Sequence, residues 1–135
     1  MPEQKPLVYL AGPIAGCNQE QMSTWRDAAA WHLRPSYDCS SPVHRLGLDP
    51  HTIVNDDLRD IERCQLVLAY LPKEFDCVGT GMEIFYASRI LRRKVIAFGT
   101  RIMDIGTSPW YVEHTWKRFS LFDEAISYLM QDFEL

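Results

Sequence analysis

The chain has 135 residues, of which 47% are hydrophobic and 24% are charged. This length predicts a single domain, residues 1–135, large enough to bury a core of its own, and the composition argues against intrinsic disorder. The formal net charge of −4 gives no broad positive field. This argues against nucleic acid polymers as partners and favours small molecules.

The metal-binding and targeting signals are weak throughout the chain. The four cysteines and four histidines show neither a Cys-x-x-Cys pair nor the spacing of a zinc site. The first residues are polar and carry no apolar signal core, and the longest apolar runs are far too short to cross a bilayer. We therefore expect a cytoplasmic protein with reduced thiols, no bound metal or cofactor and no membrane partner.

The first third of the chain predicts a strand, a helix and a short second strand. Leu7–Ala11 is an apolar run that ends at Gly-Pro, which is typical of a buried strand entering a turn. Asn18 and Gln21 have the spacing of a helix N-cap and its box partner, which predicts a helix through about Leu33. Residues 37–40 predict a shorter strand.

The remainder repeats the alternation of helix and strand. A helical stripe is formed by four apolar residues: Ile53, Val54, Leu58 and Ile61. The apolar run at 66–71 then predicts a strand buried on both faces. Residues 82–91 predict a helix, residues 94–98 a strand, and residues 123–132 a final helix.

Strands that alternate with helices predict βαβ units. With right-handed crossovers, we expect a single-domain, flavodoxin-like (Rossmann-like) α/β fold: a three-layer sandwich around a four- or five-stranded, mostly parallel sheet. Ligands of such folds lie beyond the carboxyl ends of the strands, where the strand order reverses. Three segments are expected to meet there, namely residues 9–14, 73–81 and 99–100.

The sharpest local feature is the run Gly-Thr-Gly-Met-Glu at 79–83. The glycines allow close approach of the backbone to a ligand or a positive φ, and a helix starting directly after them favours anions at its amino end. Glu83 falls in the predicted first turn on a partly apolar face, where a carboxylate is costly without a partner or a function. The alternative is that Glu83 only complements the helix dipole. The run is neither a dinucleotide fingerprint nor a Walker A loop.

Other candidates each have an ordinary alternative. Asp57 borders the apolar stripe of its predicted helix, although a surface or capping role would also explain it. Tyr9 lies near the carboxyl end of the first strand, where its hydroxyl would reach the expected crevice, although an aromatic residue in a central strand is usually core. Asp76 and Cys77 precede the two glycines and would otherwise be plain loop residues.

Three short motifs occur together in order: Tyr-Leu-Ala-Gly-Pro at 9–13, Asn-Asp-Asp-Leu at 55–58 and the run at 79–83. With this order and spacing the chain resembles the nucleoside 2-deoxyribosyltransferase family, whose superfamily includes nucleotide N-hydrolases. The likeness covers about residues 7–98, with a weaker match in the final helix. It implies a flavodoxin-like fold and a carboxylate that attacks C1′ of the sugar and forms a glycosyl-enzyme intermediate.

The resemblance also implies roles for individual residues. By match of motif, Glu83 is the attacking carboxylate and Tyr9 holds or tunes it. Asp57 matches an aspartate that contacts the nucleoside and assists protonation of the leaving base. The other matched positions are expected to contact the substrate: Gly12, Pro13, Gly79 and Gly81.

The chain departs from the family pattern at one position. Six residues before the catalytic glutamate, the transferases have an aspartate and the phosphate-using hydrolases have a serine, whereas this chain has Cys77. A shift of the loop by one residue would bring Asp76 into the transferase role, and without that shift Cys77 is closer to the hydrolase pattern. Both residues are therefore kept as substrate-binding candidates.

The first hypothesis is an N-deoxyribosyltransferase, and the alternative is a nucleoside 5′-monophosphate N-glycosidase. A second alternative is a nucleotide-binding or signalling module without catalysis. The implied partners are a nucleoside or nucleotide and a free nucleobase. The resemblance also implies a homo-oligomer in which a neighbouring subunit completes each site, and the aromatic-rich segment 108–114 is our candidate for that contribution.

Overall fold

The computed structural model describes residues 4–45 and 47–135 of the chain. In this part of the chain, five strands form one parallel sheet with the order β2-β1-β3-β4-β5. The strands are β1 (Leu7–Ala11), β2 (Asp38–Ser40), β3 (Leu66–Tyr70), β4 (Lys94–Phe98) and β5 (Lys117–Phe119). The predicted flavodoxin-like α/β fold is confirmed, with the larger of the two expected strand numbers.

The helices that cover the sheet are α1 (Gln19–Leu33), α2 (Pro50–Arg63), α3 (Val78–Phe85), α4 (Pro109–Glu113) and α5 (Phe122–Gln131). A 3-10 turn (Pro42–Arg45) precedes α2, and a π-helical segment (Tyr86–Ile90) continues α3. Within the residues described, no helix has the length and apolar character needed to span a membrane.

Two apolar cores, one on each face of the sheet, create the three layers. Val8 and Leu10 of β1 pack in the core that contains residues of α1 and α5. Tyr9 and Ala11 pack in the other core, with residues of α2 and α3. Successive side chains of a strand point to opposite faces, so β1 sends the Tyr9 side chain into the layer that also carries the two carboxylate motifs.

Helix starts follow the capping signals where those signals are strong. The Asn18 side chain accepts a hydrogen bond from the Gln21 backbone N–H at 2.8 Å, and the Gln21 side chain accepts one from the Asn18 N–H at 2.9 Å. This capping box confirms the predicted start of α1. At α2, Asp49 accepts from the Thr52 N–H at 2.9 Å, and Pro50 occupies the first turn, where its missing N–H costs nothing.

The helix predicted over residues 82–91 begins four residues earlier than expected, at Val78. Gly79 and Gly81 lie inside α3 without positive φ, and the Gly81 N–H donates to the Cys77 carbonyl at 2.8 Å. The prediction that Glu83 lies in the first turn is therefore wrong, because the two glycines propagate the helix instead of forming a turn before it. Glu83 lies in the second turn.

Candidate active site

The expected crevice lies at the carboxyl ends of β1 and β3, where the strand order reverses. A cavity of about 410 Å³ opens there, within the size range of small-molecule sites. Its wall is made by the segment after β1, by one face of α2 and by the amino-terminal half of α3. Fourteen of the described residues line it: Gly12, Pro13, Ile14, Ala15, Ile53, Val54, Asp57, Leu58, Asp76, Val78, Gly79, Thr80, Met82 and Glu83.

Tyr9 and Glu83 form the central polar contact of this site. The Tyr9 hydroxyl donates a hydrogen bond to Glu83 Oε2, and the Tyr9 side chain is fully buried. Burial raises the pKa of the Tyr9 phenol well above its usual value, and the negative charges of Glu83 and Asp57 raise it further. Tyr9 therefore remains a protonated donor that stabilises the ionised form of Glu83 at one oxygen.

The cavity has one acidic side and one apolar side. Asp57, Asp76 and Glu83 supply three carboxylates to its lining, and Asp57 lies near enough to Tyr9 to influence its pKa. The apolar side is formed by residues of α2 and α3: Ile53, Val54, Leu58, Val78 and Met82. Such a surface suits a small molecule with an apolar part and a polar part.

Asp76 and Cys77 are adjacent in sequence, but their side chains line different cavities. Asp76 lines the cavity, and its Oδ1 accepts a hydrogen bond from the Val78 N–H at 2.9 Å. The Cys77 thiol is buried and donates to the Phe75 carbonyl at 3.5 Å, and burial raises its pKa. Of the two candidates, only Asp76 lines the same cavity as Glu83.

A second cavity, of about 640 Å³, lies between α3 and α4. It is lined by Cys77, Val78, Gly81, Met82, Phe85, Ser108, Trp110, Tyr111 and His114. The predicted substrate residues Cys77 and Gly81 therefore lie on this side of α3, and so does the aromatic segment 108–114. At Gly81, an added Cβ would lie 3.5 Å from the Tyr111 ring, an ordinary contact distance, so Tyr111 packs on this face of α3.

The third segment expected at the crevice supports a loop instead of lining the cavity. The Thr100 side chain accepts a hydrogen bond from the Lys73 N–H at 2.9 Å. Gly99 adopts a φ of 128°, and a Cβ there would lie 2.5 Å from the Leu71 carbonyl oxygen. Residues 99–100 thus fix the start of the loop that carries Asp76 without touching the cavity.

Two arginines near the site were missed by the sequence reasoning. Arg26 on α1 is 2% exposed and donates hydrogen bonds to backbone carbonyls at the end of β1. Its spacing from Met22 and Leu33 places it on the buried face of α1, a signal that was available. Arg101 donates to the carbonyls of Pro72, Lys73 and Phe75, and nothing in the local sequence pattern pointed to it.

Two cavity glycines give a matched stability prediction. At Gly12 an added Cβ would lie 2.6 Å from Trp25 Cζ2, and Trp25 is held against Tyr70 and Phe98. Gly12→Ala is therefore expected to lower the free energy of unfolding by about 1–3 kcal/mol. At Gly79 a Cβ would meet nothing within 4 Å. Gly79→Ala should therefore raise the free energy of unfolding by about 0.5–1 kcal/mol, because alanine favours the helix more than glycine does. Urea denaturation checks both, and equal losses in the two variants would contradict the packing described.

Among the described residues, no group of three or more His, Cys, Asp or Glu side chains is arranged to hold a metal ion.

Comparisons with solved structures show the same fold in several proteins. A 2-deoxyribosyltransferase from Bacillus psychrosaccharolyticus has a TM-score of 0.71 at 19% identity, over 96% of this chain and 93% of its own. A 2-desoxiribosyltransferase from Leishmania mexicana has a TM-score of 0.72 at 21% identity, over 96% of this chain and 99% of its own. A CMP N-glycosidase from Clostridium botulinum has a TM-score of 0.67 at 16% identity, over 94% of this chain and 99% of its own. No family model matches the chain, and no curated protein matches it in sequence. The resemblance stated from the motifs is confirmed at the level of the fold.

Proposed function

We propose that this protein is an N-deoxyribosyltransferase that moves a 2-deoxyribosyl group from one nucleobase to another, with Glu83 as the nucleophile. The observation that carries the proposal is the Glu83 carboxylate, which accepts a hydrogen bond from the buried Tyr9 hydroxyl and lines a ligand-sized cavity with Asp57 and Asp76. The fold shared with two deoxyribosyltransferases and a CMP N-glycosidase supports the same chemistry.

In the first half-reaction, a Glu83 oxygen attacks C1′ of the bound nucleoside. The N-glycosidic bond breaks, and its electron pair leaves with the base. Asp57, in its acid form, donates a proton to that base, and C1′ becomes esterified to Glu83. The sugar develops oxocarbenium character in the transition state, which the negative charge of the carboxylate stabilises in a site prepared in advance.

In the second half-reaction, a nitrogen of an incoming base attacks C1′ of the ester. The bond between C1′ and Glu83 breaks, Glu83 is released as a carboxylate, and Asp57 takes up the proton lost from the attacking nitrogen. The covalent intermediate divides one difficult displacement into two easier steps. Tyr9 supports both steps, because its hydroxyl stabilises the carboxylate that attacks first and leaves later.

Two features support transfer over hydrolysis of a 5′-monophosphate. Asp76, and not Cys77, lines the cavity with Glu83, which supports Asp76 in the role that an aspartate has in the transferases. The apolar side of the cavity, formed by Ile53, Val54 and Leu58 among others, suits a stacked base and disfavours water.

The proposal includes a homo-oligomer, in which a neighbouring copy of the chain covers the exposed apolar residues near the site. Val78 and Met82 line both cavities and are 60% and 68% exposed. Trp110, also 68% exposed, lies at the second cavity. Exposed apolar groups that adjoin a site are typical of surfaces that another chain covers, so a neighbouring copy on this side would reach the substrate cavity.

The experiment is a base-exchange assay. The protein is incubated with a deoxynucleoside and a second free base, and the products are separated by chromatography. The proposal predicts a new nucleoside that contains the second base. Free deoxyribose would identify a hydrolase, cleavage only of 5′-monophosphates would favour the N-glycosidase, and binding without any base release would favour a non-catalytic module.

A further inference from the structure

Arg26 on α1 is a buried charged residue close to the end of β1. It lies on α1 between Met22 and Ala29, on the face buried against the sheet, and only 2% of it is exposed. Arginine is almost never fully buried without a partner, because removing its charge from water is costly. Its position therefore requires an explanation in terms of what surrounds it.

The guanidinium donates three hydrogen bonds, of which two tie α1 to the end of β1 and the third stays within α1. Nη1 donates to the Met22 carbonyl at 2.8 Å, Nη2 to the Gly12 carbonyl at 3.0 Å and Nε to the Leu10 carbonyl at 3.3 Å. Leu10 follows Tyr9, and Gly12 lines the cavity. The three acceptors are neutral carbonyls and the Trp25 ring lies 4.8 Å from the guanidinium carbon, so these contacts orient the side chain and none of them carries an opposite charge.

The charges that compensate Arg26 belong to the site. Burial lowers the pKa of Arg26, and the Glu83 carboxylate opposes this effect more than any other group, ahead of Tyr9, Cys17 and Asp57. In turn, Arg26 lowers the pKa of Tyr9, against the effect of Glu83 and Asp57. Electrostatic coupling is mutual, so a cation that responds to Glu83 also favours the ionised form of Glu83.

We propose that Arg26 is a positioning residue for the nucleophile: its buried positive charge stabilises the carboxylate form of Glu83, and its hydrogen bonds fix the backbone of Leu10 and Gly12 beside it. Arg26 itself does not line the cavity and does not touch the substrate. The inference rests on the proposed function, in which Glu83 is the attacking group.

The need for such a charge follows from the other described groups around Glu83. Tyr9 from β1 donates a hydrogen bond to it, whereas Asp57 from α2 and Asp76 before α3 add carboxylates to the same cavity. Like charges in one site disfavour ionisation of each other. The Arg26 guanidinium, which is held at the end of β1 and does not line the cavity, opposes this effect without occupying space that the substrate needs.

The test compares Arg26→Met, which removes the charge and keeps an apolar stem, with Arg26→Lys, which keeps the charge and loses the planar fork. For base release from a deoxynucleoside, we expect the acid limb of kcat/KM to move upward by about one pH unit in Arg26→Met. In Arg26→Lys the limb should stay in place while kcat falls about tenfold through looser positioning. The matched control is Arg34→Met, which removes an exposed charge from the end of the same helix and should leave the profile unchanged.

A measurement that needs no turnover separates this inference from the proposed function. With ¹³C-labelled glutamate, and the Glu83 resonance assigned through Glu83→Gln, the Glu83 carboxyl should titrate at higher pH in Arg26→Met than in wild type. An unchanged titration would overturn the inference even if base exchange is observed, whereas a shifted titration without base release would overturn only the proposed function. If Arg26→Met does not fold, Arg26→Lys decides, and wild-type kcat in that variant would overturn the inference.

Discussion

Glu83→Gln is expected to lower kcat for base exchange by about 10³-fold or more, because an amide cannot supply the negative charge that attacks C1′ and leaves again as a carboxylate. The substitution keeps the shape of the side chain and the possibility of a hydrogen bond with Tyr9. Binding of the nucleoside, measured by calorimetry, should therefore change little. Initial rates from chromatography of the released base give the comparison.

The matched control for this prediction is Glu62→Gln. Glu62 also accepts a hydrogen bond from a tyrosine hydroxyl, Tyr86 Oη, at 2.6 Å, but the pair lies on the exposed side of α2. Wild-type activity is expected in this variant. If Glu83→Gln retains turnover within a few-fold of Glu62→Gln, Glu83 is not the nucleophile.

The second large effect is expected at Asp57. Asp57→Asn removes the proton donor for the departing base and is expected to lower kcat by about 10²–10⁴-fold, the usual contribution of a general acid. The loss should depend on the substrate, because a base that leaves readily without protonation gains less from the acid. A series of deoxynucleosides with leaving bases of graded basicity measures this dependence.

The neighbouring Asp56→Asn provides the control for Asp57. Asp56 pairs with Arg59 at 3.7 Å and is absent from the lining of the cavity, so its variant should keep both the rate and the dependence on the leaving base. An equal loss with every leaving base in Asp57→Asn would contradict the role in protonation and would indicate a role in binding alone.

Most of the fold could be predicted from local sequence because its central strands carry strong signals. Leu7–Ala11 and Lys94–Phe98 have the predicted bounds, since short apolar runs that end at glycine or proline have few alternatives. β5 and α4 were missed because each is short. β5 has only three residues, two of them Lys117 and Arg118, and its place at the sheet edge follows from tertiary pairing with β4.

The start of α3 shows where propensity failed. Gly79 and Gly81 are poor helix formers, so a turn was expected before Met82. In the folded chain, a Cβ would meet nothing within 4 Å at Gly79 and would meet only Tyr111, at an ordinary 3.5 Å, at Gly81. Neither glycine is thus required by close packing, and local propensity alone places the start of the helix too late.

The site was predictable as a set of motifs, and less so in its details. In the structure Tyr9 contacts Glu83, and Asp57 and Glu83 line one cavity, whereas the roles of these residues stay predictions; the strand-end rule accounts for Tyr9 but not for Asp57, which lies on α2. The choice between Asp76 and Cys77 depended on a loop register of one residue, which no local pattern determines. Arg26 did not enter the sequence prediction, although its helical spacing from Met22, Ala29 and Leu33 matches the buried face of α1.

The central claim is that Glu83 becomes covalently bonded to the sugar. The most direct measurement is mass spectrometry of the protein after rapid acid quenching during turnover of a deoxynucleoside without an acceptor base. We predict a mass increase equal to one deoxyribosyl group, found on the peptide that contains Glu83 and absent in Glu83→Gln. Rapid base release with no adduct, or an adduct on another residue, would contradict the claim.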